Sequence, residues 1–547
     1  MDQLEVEFQA DDDGTFPMTW GQQDFWRHKV RRYAATELRN FNIPVVVNLI
    51  EEASRTDQAT IVATLRRLVE RNQSLHAHLC DSPDGLVQRV VRSGTFPLLL
   101  RQSTPVDSRA SAGALAIELA ERPFDHEAEW GVRFALVCVG QSTRHVAFAI
   151  SHVIADGGAV KALIDDFFGL LRAREGGSEP ERRWQPSDQA SRELSERGTR
   201  RTRAAIRHWR THLERIPASI FDVARPAGPP RFHGLRLESR ALARTAARLA
   251  ADCQVSVAST VLAAAALALT ALSGQSTCAL VVVVGNRYDE DVRGMLGLPS
   301  QDGLFAIDLP GGTIADAVRA THRAATVAYF SGQYDPAVID ELVEAVAAER
   351  GVRFDLTLLY NDLSAFANDA CADDLPVSEA DARKLLHETV IAPEPTWEGQ
   401  LCKMYLAAVP GADNCRLTLI GDTAYLPLES MHALLCGIEQ IVFEAAYRDV
   451  DVAEVPALTG LAPSILPSPP PLVPAGRSTT PPGGRGRQRG RRGGGCEIRT
   501  REALPPTRFP SVRPRPLGES SVRKLTGDHG AVGNPIPAQM NVPSSCR

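Results

Sequence analysis

No two of the ten cysteines in this 547-residue chain form a C-x-x-C pair. Cys80, Cys138, Cys253, Cys278, Cys371, Cys402, Cys415, Cys436, Cys496 and Cys546 are scattered instead. That pattern argues against a zinc site or a disulfide framework, so no metal is expected and small buried thiols are the expected role. An apolar run of bilayer length is also missing. Val257 to Leu272 is alanine-rich and uncharged, yet it covers about 16 residues where a spanning helix needs about 20. With Ser273-Gly274-Gln275-Ser276-Thr277 and Cys278 to Val284 after it, the stretch reads as buried helix, turn and buried strand. The start, Met1-Asp2-Gln3-Leu4-Glu5, is acidic where a secretory leader is basic and then apolar, so a cytoplasmic protein without a membrane span is expected. A basic body is absent too. The net charge is −6, but the last 87 residues hold 14 Lys+Arg against 4 Asp+Glu, which leaves +10 on the tail and −16 on the rest. An acidic body argues against nucleic-acid binding by the folded part.

What is present is apolar material, 44% of the chain, enough for a large core and for two to four domains by length. Strands alternate with helices. Strands are expected at Ile43 to Ile50, Leu86 to Val91 paired with Pro97 to Arg101, Gly131 to Val139, Cys278 to Val284, Phe354 to Asn361 and Arg416 to Gly421. Helices are expected at Asp57 to Asn72, Ala112 to Ala120, Gly158 to Arg172, Arg201 to Glu214, Leu242 to Cys253, 257–272, Thr313 to Tyr329, Pro336 to Arg350 and Pro427 to Tyr447. Residues 173–200 are charged and bear Gly and Pro, as a connector would. The expected divisions are 14–200, 201–460 and a tail, 461–547. Proline supplies 16 of those last 87 residues and 483–495 is almost all Gly and Arg. Such a tail buries too little apolar surface to offset its ordering entropy, so it is expected to be disordered. Its GC-rich codons open a second reading, that it is not genuine coding sequence.

Ser151-His152-Val153-Ile154-Ala155-Asp156-Gly157-Gly158 is the most informative segment. It follows the apolar stretch Val146-Ala147-Phe148-Ala149-Ile150. Side chains alternate along a strand, so a strand continuing to 152 places His152 on the face of Val146, Phe148 and Ile150. An imidazole there can act as a base near neutral pH. A lone histidine after an apolar strand is commonly structural, and Asp156 before Gly157 also suits a helix N-cap.

The segment resembles the H-H-x-x-x-D-G signature of condensation domains of nonribosomal peptide synthetases, within the chloramphenicol-acetyltransferase-like superfamily. His152, Asp156 and Gly157 match it, and Ser151 replaces the first histidine. Further segments resemble the family in its order: Met18-Thr19-Trp20-Gly21-Gln22-Gln23-Asp24-Phe25-Trp26, Phe41-Asn42-Ile43-Pro44, Leu68 to His76, Pro123-Phe124-Asp125, His208 to Leu213, Gly285-Asn286-Arg287 and Gly297 to Leu309, where Gln301 and Asp302 replace Asn-Thr.

The resemblance implies an α/β fold of two chloramphenicol-acetyltransferase-like lobes in a V with a tunnel between them. It implies condensation-type acyl transfer from a phosphopantetheine thioester, on a carrier protein or on CoA, to an amine or hydroxyl acceptor. No other cofactor is implied. His152 is then the catalytic base and the Gly157 N–H the oxyanion donor. Asp156 and Arg287 pair across the lobes in a structural role, and Ser151, Gly158 and Gln301 line the tunnel. His126 and His145 carry no motif support and are expected to be structural or solvent-facing. No adenylation or carrier domain fits in the remaining sequence, so a free-standing enzyme served by separate carrier proteins is expected. Two alternatives stay open: an acyltransferase of lipid or polyketide assembly using acyl-CoA or acyl carrier protein, and a non-catalytic docking platform.

Overall fold

The computed structural model describes residues 2–49, 57–83, 85–174, 176–221, 224–309, 311–366, 378–397, 399, 402–463 and 541–542. Alternation of large and small side chains builds the first sheet. Along strand Ser142–Ser151, Val146, Phe148 and Ile150 join one core cluster while Ala147 and Ala149 join another. Strand Val132–Val139 repeats this, with Val132, Phe134, Leu136 and Cys138 on the first face and Ala135 and Val137 on the second. The bulky face receives helices Gln58–Arg71 and Gly157–Arg174; the small face lets helix Ser108–Ala120 approach closely. The sheet runs Asp2–Gln9, Ser93–Gln102, Val132–Val139, Ser142–Ser151, Asn42–Asn48, Asn541–Val542.

The expected pairing of Leu86 to Val91 with Pro97 to Arg101 does not form. Gly85–Val90 lies between Gly14–Pro17 and Ala77–Ser82 in a separate three-stranded sheet, and Ser93–Gln102 pairs with Asp2–Gln9. The acidic start is itself a strand: Glu5 and Glu7 face out while Val6 and Phe8 are buried.

The second half is built on a seven-stranded sheet in the order Gln301–Asp308, Thr277–Val284, Leu358–Asp362, Met404–Pro410, Cys415–Asp422, Phe232–Ser239, Val390–Trp397. Helices Arg240–Cys253, Val257–Ser273, Ile314–Phe330 and Leu428–Ala445 pack into its core. Helix Val257–Ser273 is buried, as its composition demands; Ser256 caps its start and Gly274, at φ 73°, ends it. Among the described residues no single helix is long and apolar enough to cross a membrane.

Helix Glu196–Leu213 runs through position 200, and helix Pro186–Glu193 lies within the stretch that reads as a connector. The arginines there cover an outer face, while Ala205, Trp209 and Leu213 pack inward against Leu304, Tyr334 and Ile339. Charge density marked a solvated helix face, not a linker. Leu461 is buried in the second core and Asn541–Val542 extends the first sheet. The remaining tail from 464 on, Cys371, Cys496 and Cys546 lie outside the described residues. The other seven cysteines form no disulfide among themselves.

Candidate active site

Strand Ser142–Ser151 stops one residue short of His152. Ile154 N–H donates to Ser151 O (3.1 Å) and Ala155 N–H to His152 O (3.3 Å), closing a turn that lifts His152 off the strand. The strand-face placement expected for His152 is therefore corrected: helix Gly157–Arg174 begins so soon that the chain must turn at 152. His152 is half-buried and stacks on Phe25, ring centroids 5.2 Å apart and planes at 26°. Its Nδ1 is buried without a hydrogen-bond partner among the described residues. Burial pushes its pKa below 6.5, more than the nearby Asp156 carboxylate raises it, so the imidazole is neutral. A neutral imidazole is able to accept a proton.

Asp156 caps the helix, its Oδ1 accepting Ala159 N–H at 2.8 Å. It also receives Arg287 from the other half of the molecule: Nη2 to Oδ1 is 2.6 Å and Nε lies 3.1 Å from both oxygens. Ser300 Oγ donates to Oδ2 at 2.5 Å. Burial opposes the charge on Asp156, but Arg287 and these donors outweigh it and hold the carboxyl below the usual range. The guanidinium is tied further to the carbonyls of Val292, Met295 and Gly297 at 2.7 to 2.9 Å. Asn286, with φ 52°, makes the bend that aims it and is held by its own bonds to Pro299 O and Gly332 O.

Gly158 stands against Arg287: a Cβ there would meet Nε at 2.5 Å. Its place is the seat of the guanidinium. The loop that carries Arg287 enters the first half in other places too. Thr19 Oγ1 donates to Leu298 O, Ser74 Oγ donates to Leu296 O, and Leu296 joins the first half's core. A Cβ on Gly21 would come within 2.3 Å of Leu298 O.

Ser151 is buried, and its Oγ lies 2.7 Å from His126 Nε2. Gln301 is buried with both arms on the backbone of Tyr334, Nε2 donating to O (2.8 Å) and Oε1 accepting N–H (3.2 Å). Both side chains are engaged by the protein itself. His145 is buried between Asn48 and Ser108. Gly157 opens its helix, and its N–H has no acceptor among the described residues.

A cavity of about 1210 Å³ lies between the halves. From the first half, Asp24, His28, Lys29 and Arg32 line it; from the second, Asp302, Tyr334 and Lys403 are among its wall. His28, on the π-helical turn Trp26–Val30, bridges Asp24 (3.2 Å) and Asp340 (2.9 Å). Burial works against its charge, yet the two carboxylates raise its pKa to about 10, so it is cationic. Burial and the neighbouring Asp24 raise Asp302 to about 6. None of His152, Ser151, Gly158 and Gln301 is part of the cavity wall. Phe25, the neighbour of Asp24 in sequence, covers His152. Sequence reasoning placed Phe25 and Asp302 in motifs without a role and did not single out Lys29. Strand alternation held the signal for Asp302: once Gln301 points inward, the next residue points the other way.

The condensation domain family matches residues 14–299, more than half of the chain. One of the subunits of the linear gramicidin synthase of Brevibacillus parabrevis is 24% identical over 351 residues, which cover 62% of this chain and 4% of that protein. The chain thus spans a small fraction of that curated relative. Among solved structures, the SgcC5 protein of Streptomyces globisporus superposes with a TM-score of 0.61 at 16% identity, covering 79% of this chain and 99% of that one. The X-domain of teicoplanin biosynthesis, solved in complex with OxyB, superposes at 0.59 and 18% identity, over 82% and 97%. These likenesses are in fold. A family match that spans both the D-G turn and the loop that clamps it, on a fold shared with those structures, makes this chain a member of the condensation domain family.

Proposed function

We propose that the chain carries out condensation-type acyl transfer, joining a thioester-held acyl or aminoacyl group to an amine or hydroxyl acceptor in natural-product biosynthesis. The observation that carries this reading is the state of His152. It is a neutral imidazole on a turn whose far end, Asp156, is clamped from the other half by Arg287 and Ser300.

In this reading the acceptor's nitrogen or oxygen attacks the thioester carbonyl while His152 takes its proton. The Gly157 N–H donates to the oxyanion. Collapse of the tetrahedral species breaks the C–S bond, and the thiolate leaves with the proton that His152 returns. Base catalysis of this kind is worth ~10²–10⁴ in rate, and positioning by the clamp adds to it. Asp156 orients the turn and touches no substrate. The thioester arrives on the phosphopantetheine of a carrier protein or on CoA. The test uses acyl- and aminoacyl-loaded carrier proteins with amine and alcohol acceptors. Product should form with the wild-type chain and fall at least about 100-fold in His152→Ala.

One observation favours a second reading, a docking platform without turnover. His152 is absent from the cavity wall and Phe25 lies over its ring. A platform retains carrier-protein binding in His152→Ala and gives no product in either form.

A further inference from the structure

Ser151 stands where the family signature has a histidine, yet an imidazole is still at hand. His126 brings it from the loop after Pro123-Phe124-Asp125, and its Nε2 lies 2.7 Å from Ser151 Oγ. The same Oγ accepts the N–H of Val153 at 3.4 Å, which ties it to the turn on the far side of His152. A hydroxyl has one donor and two acceptor sites. With Val153 N–H on one acceptor site, the hydroxyl still pairs with His126 Nε2 in either tautomer of the ring, donating its O–H in one and accepting the ring N–H in the other. Burial lowers His126 to about 4, so the ring stays neutral at working pH. His126 is anchored in turn: its carbonyl accepts Leu79 N–H (2.9 Å) and its ring stands edge-on to Trp26 at 5.9 Å. Trp26 follows Phe25, the ring that stacks on His152. His126 therefore touches both supports of His152, the turn through Ser151 and the aromatic cover through Trp26.

We infer that His126 is a positioning residue, which through the Ser151 hydroxyl holds the 151–154 turn and with it the orientation of the His152 ring. This rests on the acyl-transfer reading for its importance, but not for its test. The ordinary motif puts an imidazole at the strand end itself; here a serine and a histidine from a separate loop share the task.

The test reads His152 directly in the full-length chain. Two signals are followed: the ring's titration by NMR of ¹⁵N-histidine-labelled protein, and its rate of acylation by diethyl pyrocarbonate, located by peptide mass mapping. Loss of the support in His126→Ala should raise the His152 pKa toward 6.5 and speed its modification ~2- to 12-fold, the factor set by one hydrogen bond. Ser151→Ala removes a single oxygen, keeps the fold, and should give the same change; the double variant should add nothing to either single one. Unchanged titration and modification of His152 in a folded Ser151→Ala protein would overturn the inference. If His152 responds as expected and no thioester is turned over, the positioning stands and the acyl-transfer reading fails.

Discussion

Arg287 reaches Asp156 from the other half of the molecule and fastens it through three nitrogen–oxygen contacts of 2.6 to 3.1 Å. Their side chains are only 14% and 10% exposed, so the pair joins the halves in a poorly solvated place. Removing one partner leaves the other charged and buried. Asp156→Asn should therefore cost ~3–5 kcal/mol and lower soluble yield along with rate. The sign with pH is also set. Asp156 is held below its usual 3.8, so its contribution is present above pH 3.8 and lost as acid passes the lowered value. Urea unfolding should show a weaker acid dependence in Asp156→Asn. A variant that is as stable as wild type and merely slow contradicts this role.

Gly158→Ala places a methyl group against Arg287 Nε, in a guanidinium with no slack. A loss of ~1–3 kcal/mol is expected, the cost of overpacking a fixed contact. Combined with Arg287→Met, it should cost less than the two losses added, since both act on one contact. Thermal unfolding of the three variants checks this.

Glu193 is buried, accepting Trp20 N–H on one oxygen and Gln189 Nε2–H on the other. Burial raises its pKa from 4.5 to about 8. The folded state thus favours the proton: this contribution is full below pH 4.5 and lost as pH rises through about 8. Glu193→Gln should match wild type near pH 4.5 and exceed it above pH 8 by about 2–4 kcal/mol. Gln189 Oε1 has no partner among the described residues, so a turned Gln189 amide is able to accept from the new side chain. Equal stability of both forms at pH 8.5 refutes this.

Phe25→Ala uncovers His152. With its desolvation relieved, the ring's pKa should rise toward 6.5, and NMR titration measures it. If acyl transfer is the function, the variant stays active or gains access for larger acyl groups; if Phe25 positions the ring, the rate falls while substrate affinity holds.

Much of this was legible in local pattern. The alternation Val146, Phe148, Ile150 against Ala147, Ala149 gave the two faces of the first sheet, and the turn through Gly274 marked the end of the buried helix. The Asp156–Arg287 pair was readable because both residues sit in recognisable motifs. What escaped depended on long-range contact. Asp2–Gln9 is acidic and becomes a strand by pairing with a segment far along the chain, Glu7 opposite Thr95 and Phe8 opposite Gly94 among its partners. The helix start after Asp156 was legible, but the turn of Ile154 and Ala155 back onto Ser151 and His152 that ends the strand before 152 was not. Gln301 was expected in a tunnel, but the backbone of Tyr334, distant in sequence, binds both of its arms. The Ser151–His126 contact joins residues on different elements that no spacing rule connects.

The most direct measurement is the turnover of acyl and aminoacyl thioesters of N-acetylcysteamine with a panel of amines and alcohols, by wild type and His152→Ala side by side. An amide or ester product should appear with wild type, at a rate at least about 100-fold above that of His152→Ala. Equal rates in the two proteins would contradict the account.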